Sequence, residues 1–117
     1  MRRSLILVLA LALVSCATTP PRASSTESCL VHDDASKVIQ CFDFVGETAR
    51  ELAPKTCQEM EGHPELVTTA SCPETGAIGS CVTELGRPLE TLERCYQDAA
   101  ACADRCSQRK GRYFPLH

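Results

Sequence analysis

The 117-residue chain contains no tryptophan, and its only aromatic residues are three phenylalanines and two tyrosines. Aromatic side chains supply much of the apolar surface in protein cores and ligand pockets, so their scarcity argues against a large enclosed enzyme cavity. The short motifs of serine hydrolases, zinc proteases and phosphate-binding loops do not occur either. We therefore expect a protein that is not an enzyme, with no catalytic residues, no metal site and no cofactor.

Positive charge is also in short supply. Twelve Lys and Arg residues stand against fifteen Asp and Glu residues, which gives a net charge of −3. Binding to the phosphate backbone of DNA or RNA needs a clustered basic surface, and the basic residues here form no such stripe. The sequence therefore excludes nucleic acid as the expected partner.

Long apolar runs are limited to one segment near the N terminus. Residues 5–14 are ten consecutive apolar residues, and Arg2 and Arg3 precede them. Ten helical residues span about 15 Å, roughly half of the ~30 Å hydrocarbon core of a bilayer. A charged start followed by a short apolar run is typical of an export signal rather than a permanent membrane span.

This segment ends in Leu13-Val14-Ser15-Cys16, which resembles the lipobox of bacterial lipoprotein precursors. The resemblance implies that diacylglycerol is attached to the Cys16 thiol, that the signal is cut before Cys16, and that the new amino terminus is acylated. Ala17, where Asp could stand, implies the outer membrane of a Gram-negative bacterium. Two or three acyl chains, at about 0.8 kcal/mol per buried CH₂, hold a protein on a membrane almost permanently. The alternative is ordinary cleavage near Ser15 or Ala17, which leaves Cys16 as a thiol.

The sequence divides into three parts. Residues 1–15 are the expected signal peptide, residues 16–28 the lipidated cysteine with a flexible Ser/Thr/Pro tether, and residues 29–117 a disulfide-rich domain. Cleavage removes Arg2 and Arg3, so the net charge falls from −3 to −5. A twelve-residue tether reaches at most ~40 Å, enough to hold a small domain clear of the lipid headgroups.

Cysteine is the residue in excess, with nine in the chain. If Cys16 carries lipid, eight remain, and an even number in a small exported chain with a weak core predicts a disulfide framework of up to four bridges. Each bridge typically contributes about 2–4 kcal/mol to stability. The 105 possible pairings of eight cysteines are all left open by the sequence. The expected disulfide residues are Cys29, Cys41, Cys57, Cys72, Cys81, Cys95, Cys102 and Cys106.

The expected fold class is α+β, with a short antiparallel sheet, two helices and a degenerate internal repeat. Residues 40–62 and 94–111 each contain a Cys-aromatic pair, an alanine-containing helical stretch and Cys-x₄-Gly. Residues 38–45 and 78–83 are predicted strands, and a strand over residues 93–97 would pair with residues 78–83. The alternative is a mainly helical protein stapled by disulfides, in which residues 38–45 are helical and another helix begins at Pro88. Residues 88–97 thus remain open between helix and strand.

The same arrangement resembles a group of small, disulfide-rich predicted lipoproteins of bacteria, over about residues 40–114. That group often has Gly-Gly followed by Trp after the helix cysteine, whereas this chain has Glu61-Gly62 and Lys110-Gly111. The resemblance implies a fold and an envelope location, with no assigned activity and no functional residues. The residues that carry it are Cys41-Phe42, Cys57, Gly62, Cys72-Pro73, Gly79-Ser80-Cys81, Tyr96, Cys106, Gly111 and Tyr113.

Two clusters could carry metal or acid–base chemistry. Cys102 and Cys106 are spaced to face one way on a helix, as half of a zinc site would be, but an exported chain favours disulfides to other segments. His32 stands beside Asp33 and Asp34, where an exposed helix cap is the alternative to a metal or acid–base site.

Other polar residues have simpler interpretations. Glu59 with Glu61, and Glu90 with Glu93, are expected to be solvated charges, because carboxylate pairs carry little weight without a cleft. His63 is expected in a loop.

The leading functional hypothesis is an outer-membrane-anchored lipoprotein with a non-enzymatic binding or structural role in the cell envelope. Its partners would be the membrane, through the lipid on Cys16, and an envelope protein. The alternative is a secreted or transferred toxin, or a hydrolase inhibitor that presents residues 73–80 as a rigid cross-linked loop. A preorganised loop loses less entropy on binding.

Overall fold

The computed structural model describes residues 27–116. The expected signal peptide, Cys16 and almost all of the expected tether lie outside the described residues. Six strands and two helices form an α+β domain, as predicted, and the mainly helical alternative is wrong. The elements are β1 Ser28–His32, β2 Val38–Phe44, α1 Glu47–Gln58, β3 His63–Val67, β4 Gly79–Thr83, β5 Thr91–Cys95, α2 Ala99–Gln108 and β6 Arg112–Pro115.

The six strands form one antiparallel sheet in the order β3-β1-β2-β5-β4-β6. The first half is β1-β2-α1-β3 and the second half is β4-β5-α2-β6. Counted from the centre of the sheet outwards, the first half has the order β2, β1, β3 and the second half has the equivalent order β5, β4, β6. The halves meet where β2 pairs with β5, and Phe42 lies opposite Glu93 at the centre of that pairing. An approximate two-fold axis therefore passes through the Phe42–Glu93 pair.

Both helices pack on the same face of the sheet, which we call the helix face. Along one row of the sheet, Cys29 of β1 lies opposite Phe42, and Glu93 lies opposite Cys81 of β4. Because Phe42 and Glu93 are also opposite each other, and directly opposed side chains share a face, all four side chains point the same way. The two cysteines of this row are bonded to α1 and α2 respectively.

The eight cysteines expected to be cross-linked form four disulfides, so the prediction of a disulfide-bonded domain is confirmed. Two bridges join the middle strand of each half to its own helix, and they occupy equivalent places in the two halves. The other two differ: one ties β2 to the loop after β3, and one ties β5 to the start of α2. The pairs are Cys29–Cys57, Cys41–Cys72, Cys81–Cys106 and Cys95–Cys102.

The helices form where the sequence favours them locally. The Asp98 side chain accepts a hydrogen bond from the Ala101 backbone N–H and so caps α2. Glu47 in the first turn of α1 and Lys55 in its last turn match the helix dipole. The residues that each helix buries are alanine and cysteine alone, which lets both helices lie close to the sheet.

Residues 88–97, left open by the sequence, contain strand β5. Its antiparallel pairing with β4 confirms the predicted contact between these segments, although β5 begins at Thr91 and ends at Cys95. The alternative of a helix from Pro88 is wrong, because the side chains alternate between the two faces and the left-handed Asp98 separates the strand from α2. The sequence analysis did not find β1, β3 or β6.

The internal repeat exists, but the two Cys-aromatic pairs are not equivalent. Cys41 bonds to Cys72 on the face away from the helices, whereas Cys95 bonds to Cys102 on the helix face. Successive strand residues point to opposite faces, so a one-residue offset reverses the whole pattern. Phe42 corresponds to Glu93 rather than to Tyr96.

The glycines after the helix cysteines serve two different purposes. Gly62 has φ +98 and occupies the left-handed region, but it lies four residues beyond the end of α1, whose C-terminal cap is Glu59. Gly111 does not occupy that region, because Lys110 takes the positive φ in the second half. A Cβ at position 111 would press against the sulfurs of Cys81 and Cys106, so glycine there permits the strand to approach the disulfide.

Residues 68–78 cover the other face of the sheet, which we call the back face. The Cys41–Cys72 disulfide, a hydrogen bond from Ser28 Oγ to the Ala70 carbonyl, and one from the Ile78 N–H to the Cys95 carbonyl hold this segment in place. Within residues 27–116, neither helix has the length and apolar character needed to cross a membrane.

Candidate functional site

A groove of about 280 Å³ opens on the helix face, between the two helices and over the central strands. It arises because α1 packs over β1, β2 and β3, while α2 packs over β4 and β6, which leaves β5 covered less closely. Phe42 and Phe44 form its apolar floor, and Arg109 closes the side that α2 contributes. Its other lining residues are Thr56, Met60, Thr83 and Thr91.

Glu93 lies beside this groove as a buried carboxylate. Its side chain is 3% exposed, and its two oxygens face Arg105 of α2 and Arg109, the residue at the C-terminal cap of that helix. Arg109 Nη1 lies 3.0 Å from Oε1, and Arg105 Nη2 lies 3.5 Å from Oε2. A buried carboxylate is tolerated when such partners compensate it, and the removal of one partner typically costs several kcal/mol.

Arg109 connects this ion pair to the groove. Its guanidinium lies 5.5 Å from the centre of the Phe42 ring, within the range of a cation–π contact. The side chain is 43% exposed, so Glu93 holds it from below while its outer edge faces solvent. The groove therefore combines an apolar floor with one positioned positive charge.

Glu93, Cys95 and Cys102 bring three potential metal ligands together. Cys95 Sγ lies 3.1 Å and Cys102 Sγ 3.7 Å from Glu93 Oε2. The two sulfurs are joined in a disulfide and carry neither a thiolate charge nor a proton, so they neither ligate a metal strongly nor donate to the carboxylate. Cys102 and Cys106, weighed above as half of a zinc site, bond to different strands.

A second buried acid lies on the back face. Asp43 Oδ1 accepts a hydrogen bond of 2.8 Å from the Cys72 backbone N–H. Burial raises the pKa of Asp43 above its usual value, and the Cys72 hydrogen bond and the charge of Arg94 oppose that rise. Arg94 Nη2 in turn lies 3.7 Å from Glu74 Oε1, and Glu74 belongs to residues 68–78. These contacts fasten residues 68–78 to the sheet.

Tyr96 strengthens the same attachment. Its hydroxyl donates a hydrogen bond of 2.6 Å to the Pro73 carbonyl. Burial, opposed by Arg94 and assisted by Asp43, raises the pKa of Tyr96 to about 12. Residues 73–76 are exposed, while Gly79 and Ser80, the end of the expected inhibitory loop, belong to β4. The inhibitor alternative stays a prediction.

The four glutamates that were expected to be solvated charges are not all exposed. Glu59 and Glu61 are exposed, as expected of solvated charges. Glu90 accepts a hydrogen bond from the Gly86 N–H at the surface. Glu93 is buried, and the expectation of a solvated charge was wrong there, because the side chain faces the helices from a central strand.

The histidines also differ from the expectation. His32 ends β1 and caps no helix, because residues 33–37 form a tight turn between two strands. His63 begins strand β3 rather than lying in a loop, and it is placed directly opposite His32. Apolar alternation is weak in His63–Val67, which contains Pro64, so the sequence carried little signal for this edge strand.

Sequence reasoning missed the groove itself. Phe42 and Phe44 were recognisable as strand residues, but Arg109 lies more than sixty residues downstream and no spacing connects it to them. Comparisons with protein-family models, curated proteins and solved structures find no match for this chain. The groove is therefore interpreted from its own chemistry: an apolar floor, a polar rim and a guanidinium held by a buried carboxylate.

Proposed function

We propose that this chain is an outer-membrane-anchored lipoprotein whose folded part is a non-enzymatic binding domain of the cell envelope. The observation that carries the proposal is the division of the nine cysteines. The eight in the described residues are all bonded to one another, so none of them is left as a partner for Cys16. Cys16 follows an export signal and closes the lipobox-like motif, the position at which a thiol receives lipid.

The construction of the domain suits this location. Disulfides persist in oxidising compartments such as the periplasm and on cell surfaces, where they replace a large hydrophobic core. Only five aromatic residues are present in the chain, and the buried core relies on cysteine as much as on larger side chains. Such a domain presents a rigid surface without needing a large interior.

The groove is the binding surface in this proposal. Its floor would accept an apolar side chain, and Arg109 would face a carboxylate beside that side chain, so the partner is a protein segment of apolar and acidic character. The two disulfides that tie the helices to the sheet keep the groove walls in place, which lowers the entropy cost of binding. The buried charges near the groove are engaged with each other, which supports a structural rather than a catalytic use.

Metabolic labelling tests the anchor. Cells that express the chain with its signal are grown with radiolabelled palmitate, and the label should enter the wild-type protein but not the Cys16→Ala variant. Fractionation should place the wild type with outer membranes and release the variant into the periplasm. Persistent labelling of Cys16→Ala would overturn the anchor. Alkylation without reduction should also find no free thiol in the mature wild type.

Two matched substitutions on α1 test the groove. Thr56 lines the groove and is exposed, whereas Gln58 is exposed on the same helix outside it. Photo-crosslinking in intact cells from a probe placed at either position should yield an envelope adduct from position 56. Thr56→Glu should abolish the complex, because it places a like charge beside the partner's carboxylate, and Gln58→Glu should preserve it. Equal loss, or retention in both variants, would count against the groove.

A further inference from the structure

Three large apolar side chains are exposed within residues 27–116, and two of them lie on one loop. Leu85 is 59% exposed and Leu89 48% exposed, and both belong to residues 84–90 between β4 and β5, which we call the leucine loop. The third, Leu52, lies on α1. Apolar side chains grouped at a protein surface mark sites of contact with a protein or a membrane. The leucine loop is therefore a candidate contact surface.

Hydrogen bonds within the leucine loop hold it in shape. The Arg87 N–H donates to the Glu84 carbonyl at 2.9 Å, and the Glu90 N–H donates to the Arg87 carbonyl at 3.0 Å. The Glu90 carboxylate also accepts from the Gly86 N–H at 2.6 Å. The two leucines are thus presented to solvent by an ordered backbone, which lowers the entropy cost of any contact that they make.

The leucine loop lies next to the point where the chain enters the domain. Glu27 is the first described residue, and its carbonyl accepts a hydrogen bond of 3.2 Å from the Phe44 N–H. The next two residues, Val45 and Gly46, both donate to the Glu90 carbonyl, at 3.0 and 2.9 Å. Three backbone hydrogen bonds therefore connect the entry of the chain with the leucine loop.

The strand pairing places both features at one end of the sheet, which we call the entry end. Phe44, the last residue of β2, lies opposite Thr91 of β5, and Thr91 lies opposite Thr83, the last residue of β4. Ser28, the first residue of β1, lies opposite Asp43. The turn between β1 and β2 lies at the opposite end of the sheet. The chain therefore enters the domain at the same end from which the leucine loop projects.

The tether makes a bilayer the fitting occupant of this surface. The chain between Cys16 and Glu27 spans at most ~40 Å, so lipid on Cys16 would keep the entry end within that distance of the membrane. A tethered surface acts at a high effective concentration. Two leucines, too few to bind a free domain to a membrane, can then dock an anchored one.

Basic side chains at the entry end suit the phosphates of lipid headgroups. Arg87 is 75% exposed on the leucine loop itself. Lys110 and Arg112 are exposed where the chain passes from α2 into β6, whose first residue pairs with the end of β4. The loop's own acids are engaged within it, since Glu84 pairs with Arg87 and Glu90 accepts from a loop N–H. Basic residues near a membrane surface are attracted to anionic lipids.

We propose that the leucine loop docks on the bilayer to which Cys16 is anchored, with Leu85 and Leu89 inserted at the level of the lipid headgroups. The proposal rests on the lipid anchor of the proposed function and adds an orientation to it. The entry end of the sheet faces the membrane, and the turn between β1 and β2 faces away from it.

A single tryptophan in the leucine loop tests this contact, because the chain contains no tryptophan of its own. Leu85→Trp and Leu89→Trp are purified with their lipid and reconstituted in vesicles of phosphatidylethanolamine, phosphatidylglycerol and a bromine-labelled phosphatidylcholine. Bromine quenches tryptophan on contact, so both variants should lose most of their emission. Leu52→Trp is the matched control, since Leu52 is 47% exposed but lies about 7.5 Å along α1 from its start at the entry end. Its emission should persist.

Serine substitutions measure what one leucine contributes. In the Leu89→Trp chain, Leu85→Ser should lower the ratio of docked to undocked domains by about fivefold or more, because an apolar side chain no longer leaves water. The recovery of tryptophan emission reports this ratio. Leu52→Ser in the same chain should leave the emission quenched. Circular dichroism should show the same folded domain in both, since all three leucines are exposed.

A second arm separates this proposal from the lipid anchor. A hexahistidine tag placed before Ala17 replaces the lipid and holds the same variants on vesicles that also contain a nickel-chelating lipid. Quenching in this arm, without vesicle attachment in the first, would overturn the anchor and leave the docking surface in place. Attached chains with unquenched tryptophan at positions 85 and 89, or equal quenching at position 52, would overturn the docking. A blue-shifted but unquenched emission would indicate contact with a second copy and would overturn it too.

Discussion

Removal of the Cys95–Cys102 disulfide should destabilise the domain less than removal of Cys81–Cys106. The first bridge closes a segment of 7 residues and the second a segment of 25, and both bridges join α2 to a neighbouring strand. A disulfide stabilises a protein mainly by restricting its unfolded chain, and the restriction grows with the logarithm of the loop length. The loop-entropy relation gives about 2.4 kcal/mol for the short loop and about 3.5 kcal/mol for the long one.

The packing contribution is nearly the same in the two cases. All four cysteines are at most 2% exposed, so replacing either pair with alanine removes similar buried sulfur. The difference of about 1 kcal/mol, a factor of roughly six in the unfolding equilibrium, therefore reports the chain entropy.

Guanidinium unfolding under non-reducing conditions, followed by far-UV circular dichroism, measures both double Cys→Ala variants against the wild type. The midpoint of the Cys81/Cys106 variant should be the lower one. The denaturant slope should rise more in that variant, because its unfolded chain is less compact. Equal losses, or a larger loss in the Cys95/Cys102 variant, would refute the reasoning from loop length.

Three further predictions concern single residues. Burial raises the pKa of Asp43 in the folded state, so the stability that its protonated form contributes is fully present below the usual pKa of 3.8 and is lost as the pH rises through the higher folded pKa. In urea unfolding, the wild type should therefore lose stability relative to Asp43→Asn between acidic and neutral pH. A relative gain would contradict this sign. Spectrophotometric titration of the native protein should show a tyrosine that ionises near pH 12 and disappears in Tyr96→Phe, and that variant should lose about 1 kcal/mol at neutral pH with its hydrogen bond to Pro73. Gly46→Ala should cost about 1–3 kcal/mol in thermal unfolding, because the new Cβ would collide with the Pro88 backbone; an unchanged melting temperature would show that the chain relaxes there.

The strands of the central sheet were within reach of the sequence, and those at its edges were not. Residues 38–45 are rich in β-branched and aromatic side chains, and β2 forms there. The edge strand β3 contains Pro64 and little apolar alternation, and β6 is only four residues long. Strands of this kind form because a neighbouring strand offers backbone hydrogen bonds. The local sequence pattern carries no information about that neighbour.

Glu93 shows the same limit for the candidate site. Its neighbours Leu92 and Arg94 point to the back face, and Glu93 itself points to the helix face. The sequence does not show that the helices cover one face and that residues 68–78 cover the other. Arg105 and Arg109 make the buried carboxylate tolerable only because the chain returns in α2 over β4 and β6, beside β5. The groove depends on that return.

The sequence alone predicted a disulfide-dependent α+β domain, since cysteine number and side-chain alternation are properties of short segments and of composition, and the export signal stays a prediction. It also separated Cys16, by its motif, from the other eight cysteines. Only the tertiary structure decided which cysteines pair, which carboxylates are buried, and that His32 stands opposite His63. These features depend on distances between residues far apart in the chain, and such distances are set by strand register and helix packing.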